Sequence, residues 1–181
     1  MYKLRIVPPD EVYDPRSQEF VYIKPQTLLL EHSLLSISKW ESFWKKSFVE
    51  TKLTREELYD YVRCMTITPN VDERLYMFLT NEDFKKILEY IQDPMTATTI
   101  TDRRPGRPGK KEIVTSELVY YWMIQYGIPF EECQKWHFNR LMTLIRICSV
   151  KENPSKMSKK DIYSMNRAEN AARRAKHNSR G

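Results

Sequence analysis

The net positive charge of this chain is confined to its last thirty-one residues, and that split separates what must fold as a body from what need not. From Lys151 to Gly181, nine basic residues stand against three acidic ones, a net charge of +6. The whole 181-residue chain, with 30 Lys and Arg against 24 Asp and Glu, also carries +6. Residues 1–150 therefore hold 21 charges of each sign and are neutral. A neutral body with a basic end reads as a folded domain carrying an appendage that meets something acidic. The function class this points to is interaction.

The body has the means to fold without staples. A domain of about 150 residues buries roughly 70% of its unfolded surface. Only four glycines stand against eleven tyrosines, seven phenylalanines and four tryptophans, which favours helices over glycine-dependent nucleotide loops. No apolar run approaches the ~18 residues of a membrane span. Met1-Tyr2-Lys3-Leu4-Arg5 lacks the apolar stretch of a secretory signal. Three cysteines, Cys64, Cys133 and Cys148, fall at no framework spacing. A reducing, intracellular compartment is the expectation.

Along the chain, Tyr2 to Val7 and Phe20 to Ile23 are β-favouring runs around a loop with Pro8, Pro9, Asp14 and Pro15, and they predict a hairpin closed by Pro25. A helix is expected from about Thr27 to Phe48, with Leu30, Leu34, Ile37, Trp40, Trp44 and Phe48 on one face. Thr54-Arg55-Glu56-Glu57 is a capping box, opening a helix with Leu58, Tyr61, Val62 and Met65 on one side. A short helix is expected over about Asp72 to Leu79. Another starts at Thr80, shows Phe84, Ile87, Leu88 and Ile91 on one face, and stops at Asp93-Pro94. The β-branched stretches Thr96 to Ile100 and Ile113 to Thr115 predict a second small hairpin with a basic tip. The next helix, Glu117 to Tyr126, is capped by Thr115 or Ser116 and ended by Gly127. Pro129 opens a long helix running to about Val150. In the tail, Ser158 caps a last helix with Ala168, Ala171, Ala172 and Ala175 on one side.

Little in this pattern carries bond-making chemistry. Cys133 and His137 stand four apart on the expected long helix, yet Cys148 lies roughly 22 Å further along it at 1.5 Å per residue. A structural zinc site needs four N or S ligands, and Cys64 and His32 show no paired spacing. No Gly-x-Ser-x-Gly and no phosphate-cradling glycine loop is present. Glu56-Glu57 and Glu131-Glu132 sit near expected helix starts, where they suit the helix dipole. The expectation is no catalytic residue, no cofactor and no metal.

Two basic segments suggest partners. Arg104-Pro105-Gly106-Arg107-Pro108 resembles an AT-hook, in which arginines enter the narrow minor groove, but Pro105 stands where that pattern has arginine. The tail suits phosphates or an acidic protein surface. Its single aromatic, Tyr163, argues against stacking on single strands, so protein is the expected partner before nucleic acid.

Several segments together resemble tail assembly chaperones of long-tailed (siphovirus-type) bacteriophages. They include Leu30-Glu31-His32-Ser33-Leu34 with Ser36 to Ser42, Asp60 to Val71, and Pro94-Met95-Thr96-Ala97-Thr98. Ser116 to Met123, Ile128 to His137, Leu141 to Cys148, Lys156 to Lys159 and Asn170 to Arg174 continue the series in the same order. The resemblance implies a non-enzymatic protein of the host-cell cytoplasm, not retained in the mature virion. It would coat the tape-measure protein, a long helical ruler, until tail tube subunits displace it. Such a role needs aromatic or aliphatic surface open to a partner. The candidates are Trp40, Trp44, Trp122 and Trp136, with Arg167, Arg173, Arg174 and Lys176 of the tail meeting acidic stretches of ruler or tail tube protein. Self-association is a further expectation; a membrane is not.

The expected fold is mainly α. An N-terminal β-hairpin (residues 1–27) packs on a helical domain (28–150) that includes the second small hairpin, and a basic, partly helical tail (151–181) follows. The competing function is a nucleic-acid-binding accessory protein using that tail and the Arg/Pro/Gly loop.

Overall fold

The structure, a computed structural model, describes residues 1–14, 18–98, 112–152 and Arg167. Residues 26–30 decide the architecture. Pro25 precedes them, and Leu28 and Leu30 are fully buried while Thr27 is exposed and Leu29 only partly covered. That period of two is a strand's. Strand β4 (Gln26–Leu30) pairs antiparallel with β1 (Tyr2–Ile6), Leu4 opposite Leu28 and Tyr2 opposite Leu30. Between them β2 (Val12–Asp14) and β3 (Glu19–Val21) form their own hairpin, joined across the strands by Tyr13 and Phe20. The other edge of β4 is occupied as well. Ile67 N–H donates to Leu29 O at 2.8 Å, Glu31 N–H to Met65 O at 2.9 Å, and Leu29 N–H to Thr68 Oγ1 at 2.8 Å.

The expectation of a mainly α fold is thereby corrected. The described residues are about 51% helical and 14% strand, with two small antiparallel sheets, a mixed α/β domain. The helix expected from Thr27 starts later, as α1 (Leu34–Trp44), because Ser33 and Ser36 form the capping box that opens it. The Phe20 segment is a strand, but its partner is β2 and not the first strand.

The helices follow with few surprises. Helix α2 (Arg55–Met65) opens on the Thr54–Glu57 capping box and buries Leu58, Tyr61, Val62 and Met65. A 3-10 helix, Glu73–Phe78, replaces the short helix expected there. Helix α3 (Asn81–Gln92) buries Phe84, Ile87 and Tyr90, leaving Leu88 exposed. Helix α4 (Ser116–Gln125) is capped by Thr115 and followed by Gly127 at φ 61°, a left-handed position that glycine takes without steric penalty. The long helix expected after Pro129 is two: α5 (Phe130–Cys133) and α6 (Phe138–Glu152). Residues 99–111, the tip and flanks of the second expected hairpin, lie outside the described residues; 96–98 and 112–115 are not strand.

The break between α5 and α6 has a tertiary cause. His137 bridges to Ser33, Phe138 N–H donates to His32 O at 2.7 Å, and Leu35 N–H donates to Gln134 O at 3.2 Å. The junction of β4 with α1 is thus zipped to the junction of α5 with α6. Around this seam lies a buried polar network. Tyr61 Oη hydrogen-bonds His32 Nδ1 and lies 3.3 Å from Ser36 Oγ. Tyr90 Oη donates to Glu31 Oε1 at 2.6 Å, and the N-terminal ammonium lies 2.9 Å from Glu31 Oε2. His137 Nε2 faces Tyr90 O at 3.1 Å. A carbonyl only accepts, so Nε2 carries the proton. Nδ1 is then a buried lone pair with no partner.

The two imidazoles, with centroids 5.1 Å apart, are held neutral. Burial first, then the neighbouring His137, pushes His32 down to about 3. Burial likewise lowers His137, against the opposing pull of Tyr90 O and Glu31. An unfolded histidine titrates near 6.5, so below that pH the unfolded chain takes up protons that the fold refuses. The stabilisation is complete above about pH 6.5 and fades as the pH falls toward the folded values. Urea midpoints should therefore drop between about pH 7.5 and pH 5, above the carboxylate range. In the same window the His32 ring protons should keep a constant NMR shift; a normal titration near 6.5 refutes the account.

Candidate partner-binding surface

Helix α1 is clamped at both ends, and this fixes which of its side chains face outward. At its start the seam holds Ser33 and Leu35. At its end Lys45 turns left-handed at φ 55° and returns its N–H to Glu41 O. Trp40, fully buried, donates Nε1–H to Glu57 O at 2.9 Å and so ties α1 to the first turn of α2. The Glu41 carboxylate is buried as well. Its Oε1 accepts from Phe48 N–H at 2.8 Å and its Oε2 from Ser116 N–H at 2.7 Å. A carboxylate at the first residue of α4 also suits that helix's dipole. The Lys46 ammonium and the Thr54 cap hold the Glu57 carboxyl below its usual range.

With the helix so oriented, Leu35, Lys39 and Phe43 form a line at i, i+4 and i+8 along its exposed side. Phe43 is 73% exposed and stands edge-on to the Trp44 ring at 5.5 Å. A depression of about 250 Å³ lies between Phe43, Trp44, Asp60, Arg63 and Cys64, with Trp40 closing its floor. A second, of about 330 Å³, lies along the preceding turns and includes Leu35, Lys39, Cys64, Ile67 and Lys135. Both reach Cys64. The Trp44 Nε1–H is covered and has no acceptor, and Lys46 sits over that ring at 5.6 Å.

The residues singled out from sequence are placed differently from one another. Trp40 and Trp44 stack at 6.2 Å, one sealed in the core and the other half-buried. Trp122 on α4 and Trp136 between α5 and α6 are half-buried, the latter with Arg140 over its ring at 4.4 Å. Neither makes a ring contact with the α1 pair among the described residues. Arg167 is helical and exposed; Arg173, Arg174 and Lys176 lie outside the described residues, as does the Arg104 to Pro108 loop. Sequence reasoning missed Phe43, Leu35 and Lys39. Their line beside the Ile37–Trp40–Trp44 stripe was the available signal, since it holds for the expected helix and for α1 alike.

A larger hollow of about 580 Å³ lies under the β2–β3 hairpin. Its charges satisfy one another: Arg74 bonds Asp14 at 3.0 Å and Asp72 at 2.7 Å, and Arg63 bonds Glu73 at 2.8 Å. Burial pushes the Cys64 and Cys133 thiols upward, so both stay protonated near neutral pH. Cys133 and His137 no longer share a helix, and among the described residues no group of three or more His, Cys, Asp or Glu is arranged to hold a metal. Among the same residues no helix is long and apolar enough to cross a membrane.

Comparison of the chain with protein-family models, with curated proteins and with solved structures finds no match.

Removing the Glu41 carboxylate should loosen this surface. Glu41→Ala leaves the buried Ser116 N–H and the half-buried Phe48 N–H without an acceptor, at roughly 1–3 kcal/mol each and least for the second. The variant should lose about 2–4 kcal/mol in urea unfolding, and Glu41→Gln, which keeps one acceptor oxygen, should lose less. Equal stability of Glu41→Ala and the parent chain would refute this role.

Proposed function

We propose that the protein is a non-enzymatic tail assembly chaperone that binds and solubilises a tape-measure protein in the host-cell cytoplasm while the tail tube assembles. Two kinds of support stand behind this reading. One is the series of resembling segments, which runs in order through most of the chain. The other, on which the reading chiefly rests, is the outer side of α1, where Leu35 is exposed and Phe43 projects into solvent beside a shallow aromatic depression. A rigid helix presenting large apolar side chains suits a partner whose own apolar face needs cover. Depressions of about 250 and 330 Å³ take only a few side chains. Binding through them is loose, as displacement by polymerising tube subunits requires. The chaperone would then be absent from the finished virion.

The basic tail adds a long-range pull toward acidic stretches of ruler or tail tube protein. The direct test is co-expression: the tape-measure protein should stay in the supernatant and co-purify with this chain, and should aggregate without it. A ruler equally soluble alone sinks the proposal. Deleting residues 155–181 should weaken the co-purified complex at low ionic strength and matter little at about 0.5 M salt, where charges are screened within a few ångströms. Unchanged binding at low salt removes the tail from the mechanism.

A further inference from the structure

The two depressions along α1 share Cys64 and are lined by successive turns of one helix, with Leu35, Lys39 and Phe43 on that side and residues 60–67 opposite. From Leu35 to Phe43 the line is about 12 Å long at 1.5 Å per residue, room for two to three turns of a partner helix. The walls offer little to an extended peptide. The helices satisfy their own backbone, Thr66 N–H bonds Arg63 O, and Ile67 N–H bonds Leu29 O. An occupant must therefore satisfy its own backbone, which an α-helix does.

The rim selects by charge. Lys39 and Lys135 are exposed and form no ion pair among the described residues. Arg63 adds a third cation, shared with Glu73. Of the acids at the groove, Glu31 is committed to the N-terminal ammonium and Tyr90, leaving Asp60 as the opposing charge. The chain's own C-terminal stretch, with nine basic residues from Lys151 onward, has the same sign as this rim.

We propose that the α1 groove is a docking site for an amphipathic helix whose apolar stripe covers Phe43, Trp44 and Leu35 and whose flanking positions carry Asp or Glu. The inference rests on the holding role proposed above and assigns it a place and a partner chemistry.

The probe is a fluorescein-labelled helical peptide of about 20 residues, long enough to populate helix, with leucines on one stripe and glutamates on both flanks. A second peptide carries lysines in place of the glutamates. Fluorescence polarisation with the full chain should show the glutamate peptide binding at least about threefold more tightly at low salt, the scale of rim ion pairs. Lys39→Glu should erase or reverse that preference. Phe43→Ser, at an exposed position, should weaken binding by about tenfold, as loss of a central aromatic anchor does. Bound peptide should shield Cys64 from maleimide and leave Cys148 labelling unchanged. Equal binding of both peptides, an unaffected Phe43→Ser variant, or a Phe43-dependent dimer of the free chain in sedimentation overturns the groove assignment. Co-expression separates the two readings. A Lys39→Glu/Phe43→Ser double variant that still holds the tape-measure protein rejects the groove and keeps the holding role. A parent chain that binds the glutamate peptide yet leaves the ruler aggregated keeps the groove and rejects the role.

Discussion

The seam between His32–Ser33 and Gln134–Phe138 is the interaction on which the remaining geometry depends. It is made of backbone hydrogen bonds between two points about a hundred residues apart in sequence, Phe138 N–H to His32 O and Leu35 N–H to Gln134 O. Neither junction is regular structure, so each has donors and acceptors to place. Joining them satisfies both. The polar side chains drawn in with them, His32, Ser36, Tyr61, Tyr90 and His137, are buried, and in a medium of low dielectric each must find a partner. They do so largely through one another, which ties α1, α2, α3 and α6 to the β1–β4 sheet at one place.

Among the described residues, two buried side-chain groups remain unmatched: His137 Nδ1 and Trp44 Nε1. Each carries a desolvation cost of about 1–3 kcal/mol if no water reaches it. For His137 the choice of tautomer explains the orphan, because Tyr90 O demands the proton on the opposite nitrogen. For Trp44 the explanation lies in α1 itself. The helix is pinned by Trp40 to Glu57 and by Glu41 to Phe48 and Ser116. Trp44 takes the orientation that leaves it, stacked on Trp40 under the Lys46 ammonium.

Local signals were legible in the sequence wherever the chain itself supplies both partners. Thr54 and Glu57 cap α2 reciprocally, Thr80 and Asp83 do the same for α3, and Gly127 takes the left-handed position after α4. Signals failed where a distant segment decides. Leu28-Leu29-Leu30 fits a helix through the four-residue step from Leu30 to Leu34, and equally fits a strand as a short apolar run after Pro25. Pairing with β1 on one edge and with residues 65–68 on the other selects the strand. Nothing between Gln134 and His137 is a helix breaker by composition, yet the helix breaks there because the seam requires it. The candidate surface followed the same logic. Tryptophans are conspicuous in a sequence, but how far Trp40 and Trp44 are covered depends on what packs against α1, and the contacts that decide it come from Glu57, Phe48 and Ser116. Phe43, three residues after the sealed Trp40, is the aromatic that the final orientation turns outward.

A surface of the holding kind proposed for α1 faces two opposed demands. It must expose apolar side chains, and its own fold must not depend on covering them. Helix α1 meets both because its stability comes from elsewhere. Its inner stripe of Leu34, Ile37 and Trp40 is buried, its start is fixed by the Ser33 cap and the seam, and its end by the Glu41 carboxylate. The outer side chains of Leu35, Lys39 and Phe43 take no part in these anchors, Leu35 contributing only its backbone N–H to the seam. Side chains on a clamped helix have less freedom to lose on docking than the same residues on a loop, which favours association. The small area they offer would keep the proposed complex dissociable. Affinity gained through preorganisation and limited by area is what a partner that must later let go requires.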